Sequence, residues 1–533
     1  MQEFPSIFND VIGPIMRGPS SSHTAASWRV GNMARQLLNS SLSQAIIEFD
    51  KHGAWVTNFR EQGTTLGMDG GLLEIDMADD DMKNTEAIAK ERGIVIEYRI
   101  TSFENNHPNS MQVKLTGEKG DQIEVLAASL GGGSFELQKV DGFPIQMKGD
   151  YYELFIWANN DIENELQLLI PENARFIKLE KGGIYLFVFE SAVAFDVGLV
   201  DHISQFSKVI KIASVQPIMP IISGREKKLP FSDINSLIAY SKEKELTLGE
   251  LGLLYEKHRS GLSEEALCAK MENIIQIIEG SITIGLAGTI YQDRILPQQS
   301  HLVARAEKLN KILQGSIVNE IIANVAAIME AKSALEVIVA NPTAGSCGTV
   351  GAAMAAVAND VESTLQDKIK AYYAAGLVGA YFAMGPGFSA EEHGCQVECG
   401  ASAGMAAAGI VELFGGSAEQ ALGAASMAIQ NMIGLVCDPI ADRVEAPCLG
   451  KNTSAAVNAL SSATMAVAGF AHLIPLDQVL ETVERVSAQM PTCVKCTGLG
   501  GLAITPAAQE LKEKLKEKSI ESQGKKKDFS TVL

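Results

Sequence analysis

The spacing of apolar positions changes twice along the chain. Up to about residue 148, helical and strand periods alternate. Trp28, Met33, Leu37 and Leu38 recur at helical spacing behind the turn Gly18-Pro19, while residues 93–100 and 112–115 read as strands. Gly131-Gly132-Gly133 predicts a flexible loop that ends this α+β part, residues 1–148. Residues 150–222 then read strand 151–157, helix 162–170, hairpin strands 175–179 and 185–189 around Lys181-Gly182-Gly183, helix 197–206 and strand 209–215. Residues 231–533 are almost purely helical in pattern and rich in Ala, Gly, Ser and Met, with helices expected over 324–339, 351–361, 371–384, 401–414 and 418–432.

The predicted architecture is therefore multidomain: an α+β N-terminal domain, a βαββαβ middle domain and an all-α C-terminal domain. The middle order predicts a four-stranded antiparallel sheet with two helices on one face, the ferredoxin-like arrangement. It resembles an ACT domain, a small module that binds amino acids or pairs with a copy of itself. Its first loop, Ala158-Asn159-Asn160-Asp161, lacks the glycines usual where ACT domains hold a ligand, so pairing is as well supported as sensing. The charged stretch 222–230 reads as a linker, and the charged residues after Leu515 predict a frayed end.

Composition narrows the function classes. The chain has 533 residues, 46% apolar and 20% charged, which is ordinary globular usage and excludes a disordered chain or a small disulfide scaffold. Lys and Arg total 44 against 64 Asp and Glu, a net charge of −20. Such a surface repels phosphate backbones and anionic lipid, so no nucleic acid and no membrane partner is expected. The N-terminal MQEFPSIFND has no basic or apolar signal region, and the uncharged stretch 453–475 is too polar to span a bilayer. A soluble cytoplasmic protein is expected.

Eight cysteines are placed unevenly: only Cys268 precedes residue 300, and Cys347, Cys395, Cys399, Cys437, Cys448, Cys493 and Cys496 follow. Clustered thiols in a reducing compartment suggest metal or catalysis, with small apolar core residues as the plain alternative. They fall in four polar, glycine-rich patches: 341–348, 393–400, 437–452 and 491–498. Where such a patch opens a helix, free backbone N–H groups can receive an anion, and a cysteine there is expected to have a lowered pKa and to serve as a thiolate. The C-x-x-C pair Cys493/Cys496 and the pair Cys395/Cys399 have zinc-site spacing, and Lys451 is a candidate pyridoxal phosphate lysine.

Several stretches together carry a more specific resemblance. Gly18-Pro19-Ser20-Ser21-Ser22-His23-Thr24, His107-Pro108-Asn109-Ser110-Met111, Ser129-Leu130-Gly131-Gly132-Gly133, Asn341-Pro342-Thr343, Gly394-Cys395-Gln396, Cys437-Asp438-Pro439, Ala446-Pro447-Cys448 and Gly500-Gly501-Leu502-Ala503 occur in order over nearly the whole chain. The sequence resembles the iron–sulfur L-serine dehydratases, in a fused form with the β part first. The resemblance implies a [4Fe-4S] cluster held by Cys395, Cys437 and Cys448, with Cys347 and Cys399 as rival ligands. Three ligands on four irons leave one iron open as a Lewis acid. In some relatives a terminal cysteine covers that iron. This sequence ends Ser530-Thr531-Val532-Leu533, so an open or water-covered iron is expected.

The implied reaction removes water from L-serine to give pyruvate and ammonia. His23 and His107 are the candidates for proton transfer. Ser20, Ser21, Ser22, Thr24, Asn109, Asn341, Thr343, Ser346, Lys451 and Asn452 are the candidates for substrate binding, with helix capping as the plain alternative for the hydroxyls. The family's Gly-His-Gly-Thr reads Glu61-Gln62-Gly63-Thr64 here, so Gln62 stands in place of His; His52 is a nearby substitute. That departure keeps threonine or cysteine open as substrates, and a non-catalytic amino-acid-binding protein as the other class. A homo-oligomer is expected.

Overall fold

The structure, a computed structural model, describes residues 4–38, 40–171, 174–222, 229–291 and 294–528, with side chains described up to residue 517. Most of the expected linker, and the terminal residues 530–533, lie outside the described residues.

After a two-residue strand β1 (Ile15–Met16), alternating apolar positions build one large sheet from β2 (Leu42–Asp50), β3 (Val95–Thr101), β4 (Ser110–Gly117), β5 (Gln122–Gly131), β6 (Ser134–Val140) and β7 (Phe143–Met147). The spatial order is β3-β2-β4-β5-β6-β7, with β2–β3 parallel and the other pairs antiparallel. Ala45, Ile47 and Phe49 of β2 and Met111, Val113 and Leu115 of β4 point to one face. They pack there on Val30, Met33, Ala34 and Leu37 of the helix Ala26–Leu37.

The glycine run does not end this part. Gly131, Gly132 and Gly133, with φ of 93°, 62° and 95°, make the turn of the β5–β6 hairpin, and two more strands follow. A Cβ on Gly131 would sit 2.5 Å from the Ser389 backbone nitrogen, so the sheet's end abuts the helical part only because this residue has no side chain.

The middle residues form β8 (Tyr152–Ala158), β9 (Arg175–Lys181), β10 (Ile184–Ser191) and β11 (Val209–Val215), all antiparallel, in the order β11-β8-β10-β9, with helices Glu163–Gln167 and Val197–Ser204. Leu154, Ile156, Phe187 and Phe189 pack with Leu166 and Ile203 of those helices. Phe155, Trp157, Leu186 and Val188 share a core with Phe135, Leu137, Val140 and Phe143 of the large sheet. This part is therefore sandwiched between its own helices and its neighbour.

The rest is helical. Cys347–Asp360, Leu365–Met384, Cys399–Leu413, Ala418–Gln430 and Cys448–Val467 pack closely because their facing positions are small; a Cβ on Gly409 would already crowd the Met354 sulfur. The N-terminal segment threads into this core: Ile7, Phe8, Val11, Ile12 and Met16 lie among Leu251, Tyr255, Tyr373 and Leu377. Fully buried Glu256 accepts from Ser6 Oγ and Ile7 N, each at 2.8 Å.

One helical expectation changes. The helix expected over 324–339 runs Ile317–Ser333, because Leu335 takes a left-handed φ of 59° and the chain then forms β12 (Ile338–Val339), which pairs with β1. The charged stretch belongs to a helix, Pro506–Asp528, whose start is held by an ion pair between Lys512 and Asp442; the last residues of the end expected to fray lie outside the described residues. Among the described residues no helix is long and apolar enough to cross a membrane.

Candidate functional site

The four polar patches meet. Cys395, Cys399, Cys437, Cys448 and Cys496 are all buried, and Cys395, Cys437 and Cys496 pack together with Ala390 and Leu435. A sulfur of Cys395, a sulfur of Cys437 and a carboxylate oxygen of Glu398 lie within 4.8 Å of one another. Glu398 accepts from Thr343 Oγ1 at 2.7 Å and from the Cys395 thiol at 3.5 Å.

Cys347, Cys399 and Cys448 do open helices, as the sequence suggests, yet their thiols are not poised as thiolates. Burial pushes Cys347 up to about 11 and Cys448 up to about 12. Burial, followed by the neighbouring Cys395, Glu398 and Cys448, holds Cys399 well above the usual range. Cys437 is raised by hydrogen bonds with Cys395 and Cys496 and then by burial. The expected lowering by the helix terminus is overturned because desolvation and crowding of like groups outweigh it. Such a pocket gives up its protons to a bound cation, which is what a metal site asks of cysteines. Fully buried Lys332, whose Nζ donates to Val444 O at 2.5 Å, opposes the rise at Cys347, Cys448 and Glu398.

The N-terminal part reaches this pocket through a π-type turn, Ser21–Ala25, that runs directly into the helix Ala26–Leu37. His23 is fully buried against Trp55. Asn58 donates through Nδ2 to Cys496 O at 3.2 Å, so its Oδ1 is turned to accept from His23 Nε2 at 3.1 Å. That fixes the tautomer: Nδ1 carries the lone pair and accepts from Ser20 Oγ at 3.0 Å, with Ser22 Oγ 3.1 Å away. Ser22 Oγ donates to Glu391 Oε1 at 3.1 Å. Burial lowers the His23 pKa, against the opposing pull of Glu391 and the Asn58 hydrogen bond. A neutral imidazole with an oriented lone pair is a ready proton acceptor.

The other predicted residues divide by whether the protein already uses their polar atoms. Asn109 and Asn341 are buried with neither amide atom partnered among the described residues. The remainder are engaged. Ser21 Oγ accepts from Ala344 N, Thr24 Oγ1 donates to Gln62 O, and Thr343 caps the turn at Ser346. Ser346 Oγ faces Thr343 Oγ1 and Asn341 O.

Asn452 joins Gly345 O, Cys448 O and Thr349 Oγ1, so it ties three segments together instead of offering a free amide. Lys451 donates to Val436 O and to Asp438 at 2.5 Å. Burial opposes its charge, but Cys395, the Asp438 hydrogen bond and Cys437 outweigh that and raise its pKa. A paired, charged Lys451 is unsuited to the Schiff-base role.

His107 Nδ1 accepts from Asn109 N at 3.1 Å, and its Nε2 lies 3.3 Å from Glu392. The C-x-x-C pair is split, with Cys493 exposed and Cys496 buried, so the two do not face one zinc ion. Sequence reasoning missed Asn58, Glu391, Glu398, Lys332 and the placement of Cys496. Only Glu398 left a trace, one helical turn beyond Cys395.

Comparison with known proteins agrees with this geometry. The family described as "Serine dehydratase alpha chain" matches residues 234–503. The chain is 34% identical over 285 residues to the "Probable L-serine dehydratase, alpha chain" of Bacillus subtilis (strain 168), covering 54% of this chain and 95% of that protein. It is 29% identical over 222 residues to the same organism's "Probable L-serine dehydratase, beta chain", covering 40% of this chain and 99% of that protein. An "L-serine dehydratase" of Streptomyces coelicolor aligns over 498 residues at 25% identity, covering 91% of this chain and 96% of that protein. The two parts that are separate chains in one relative are continuous in the other, as they are here. The chain belongs to the serine dehydratase alpha chain family, in a form fused to its β part.

Proposed function

We propose that this protein is an L-serine ammonia-lyase that dehydrates L-serine to pyruvate and ammonia at an iron–sulfur centre held by Cys395, Cys437 and Cys448. The observation that carries the reading is the meeting of the buried thiols with the oriented His23 from the opposite end of the chain, joined through Asn58 and Cys496 O. The donor set fits the group: three soft sulfur ligands, all buried, with the Cys437 and Cys448 thiols raised so that they become thiolates only beside a cation. When bound, such a cluster supplies a Lewis-acidic iron that stabilises the departing hydroxide.

The chain's own residues do the rest. Ser20 Oγ, 3.0 Å from His23 Nδ1, relays the α proton: the hydroxyl passes its own proton to Nδ1 as its oxygen takes up the one from Cα. Asn58 keeps the acceptor nitrogen on that side. The unpartnered amides of Asn341 and Asn109 supply the hydrogen bonds an amino acid's carboxylate needs, since buried amides left empty are costly. Burial of the whole constellation excludes water, so the enamine product leaves before it is attacked. His107, fixed between Asn109 N and Glu392, holds the Asn109 loop in place.

The domain reading follows the same lines: a serine dehydratase β-type unit over 1–148, an ACT-like ferredoxin-type unit over 150–222 and the cluster-binding α-type unit over 231–533. The strand order β11-β8-β10-β9 supports the middle assignment. We take the protein to be cytoplasmic, where its thiols stay reduced, and a homo-oligomer.

The test is anaerobic purification with iron and sulfide analysis, followed by product analysis on L-serine, L-threonine and L-cysteine. About four irons per chain, and pyruvate from L-serine foremost, support the reading. Stoichiometric zinc, bound pyridoxal phosphate or serine binding without pyruvate would reject it.

A further inference from the structure

Cys496 is one of the buried thiols that the three-cysteine reading leaves over, beside Cys347 and Cys399, and it does not sit in the fold like a spare core residue. Its sulfur is packed in the same small cluster as Cys395 and Cys437. Its backbone is pinned from both sides: Cys437 N donates to Val494 O at 2.9 Å, and Cys496 N donates to Cys437 O at 3.0 Å. Its carbonyl accepts from Asn58 Nδ2 at 3.2 Å. The residue is held at φ 61°, a left-handed conformation uncommon for a side-chain-bearing residue, which persists where surrounding contacts over-determine it. The neighbouring Cys493, three residues away, is exposed. The strained turn therefore sorts one thiol of the C-x-x-C pair into the pocket and the other into solvent.

Gln62 meets the same sulfur. Its Nε2 lies 3.9 Å from Cys496 Sγ, at the reach of a hydrogen bond to sulfur, and the Gln62 side chain is buried. A neutral amide there can donate to a thiolate but cannot take up a proton as an imidazole would. The residue that departs from the pattern of Gly-His-Gly-Thr thus touches a pocket thiol that the ligand assignment does not use.

We propose that Cys496 is a fourth sulfur donor to the cluster at rest, completing a set with Cys395, Cys437 and Cys448, and that Gln62 holds its sulfur in place. The inference rests on the iron–sulfur reading above. It replaces the expected open or water-covered iron with one covered by the protein itself until substrate arrives. Hydrogen bonds to cluster sulfurs of this kind tune the group they surround.

The experiment is 57Fe Mössbauer spectroscopy on the full-length protein, purified without oxygen and free of substrate, beside Cys496→Ser and Cys493→Ser. The expected result is a parent spectrum in which every iron has the parameters of a thiolate-bound site. In Cys496→Ser about a quarter of the iron moves to a separate doublet, and in Cys493→Ser nothing moves. A separate doublet already present in the parent at rest overturns the proposal, and the parent spectrum decides this even if the Cys496 variant fails to fold. So does a folded, iron-loaded Cys496→Ser whose spectrum matches the parent. Protein that purifies without iron or sulfide instead defeats the function reading itself, so the two failures are told apart.

Discussion

The thiol pocket and the middle sheet handle polar groups in opposite ways. In the middle unit several charged side chains lie at the surface and pair at short sequence range: Lys178 with Asp161 and Glu163 at 2.5 and 2.9 Å, and Lys208 with Glu165 at 2.9 Å. In the pocket the polar groups are buried and find partners hundreds of residues away, as Ser22 does with Glu391 and Asn58 with Cys496. Surface pairs of the first kind contribute little to stability. Buried, cross-chain networks of the second kind are sensitive to every member, because a lost partner leaves a desolvated group unsatisfied. The same long-range burial also ties Glu256 to Ser6 and Ile7 in the structural core, and what sets the pocket apart is that its network ends on thiols and an imidazole.

That contrast can be broken at several points. Cys437→Ala should abolish both iron content and pyruvate formation, while Cys268→Ala, on the helix Glu264–Ala287 and outside the cluster of Cys395, Cys437 and Cys496, leaves both intact. Equal loss in the two would mean that the pocket is not special. His23→Ala should lower kcat by about 10²–10⁴-fold with iron content unchanged, read by steady-state kinetics beside an iron assay.

Asn341→Ala should raise KM for L-serine by about tenfold or more, the effect of losing a hydrogen bond to a charged carboxylate. The acid limb of kcat/KM should fall below pH 6.5, because burial lowers the His23 pKa from its ordinary 6.5 and the neutral form is the one that accepts a proton. Activity is then full above that pKa and lost as pH drops through it, and a limb well above 6.5 would point to another base. Lys178→Ala, the smallest change, should leave pyruvate formation and Tm where they are.

What could be read from the sequence followed the same division. The middle strands were legible nearly to the residue, because period-two alternation and the Gly182-Gly183 turn are local signals; strand 209–215 coincides with β11. Cys395, Cys437 and Cys448 stood out through their glycine-rich surroundings and the family resemblance. Asn58, Glu391 and Lys332 carry no local mark: each matters only because folding carries it to a partner from a distant segment. The glycine run was misread as an ending because a loop and a hairpin turn use the same residues, and only the positive φ values distinguish them. Helix-terminal cysteines were expected to be acidic from a local dipole, whereas burial, a property of the whole fold, decided the outcome.

The most direct measurement is the iron spectrum of the anaerobic protein before and after saturating L-serine. The account predicts that the amino acid shifts the signal of a single iron site, together with release of pyruvate. Pyruvate released while the spectrum stays unchanged, or protein holding no iron at all, would contradict it.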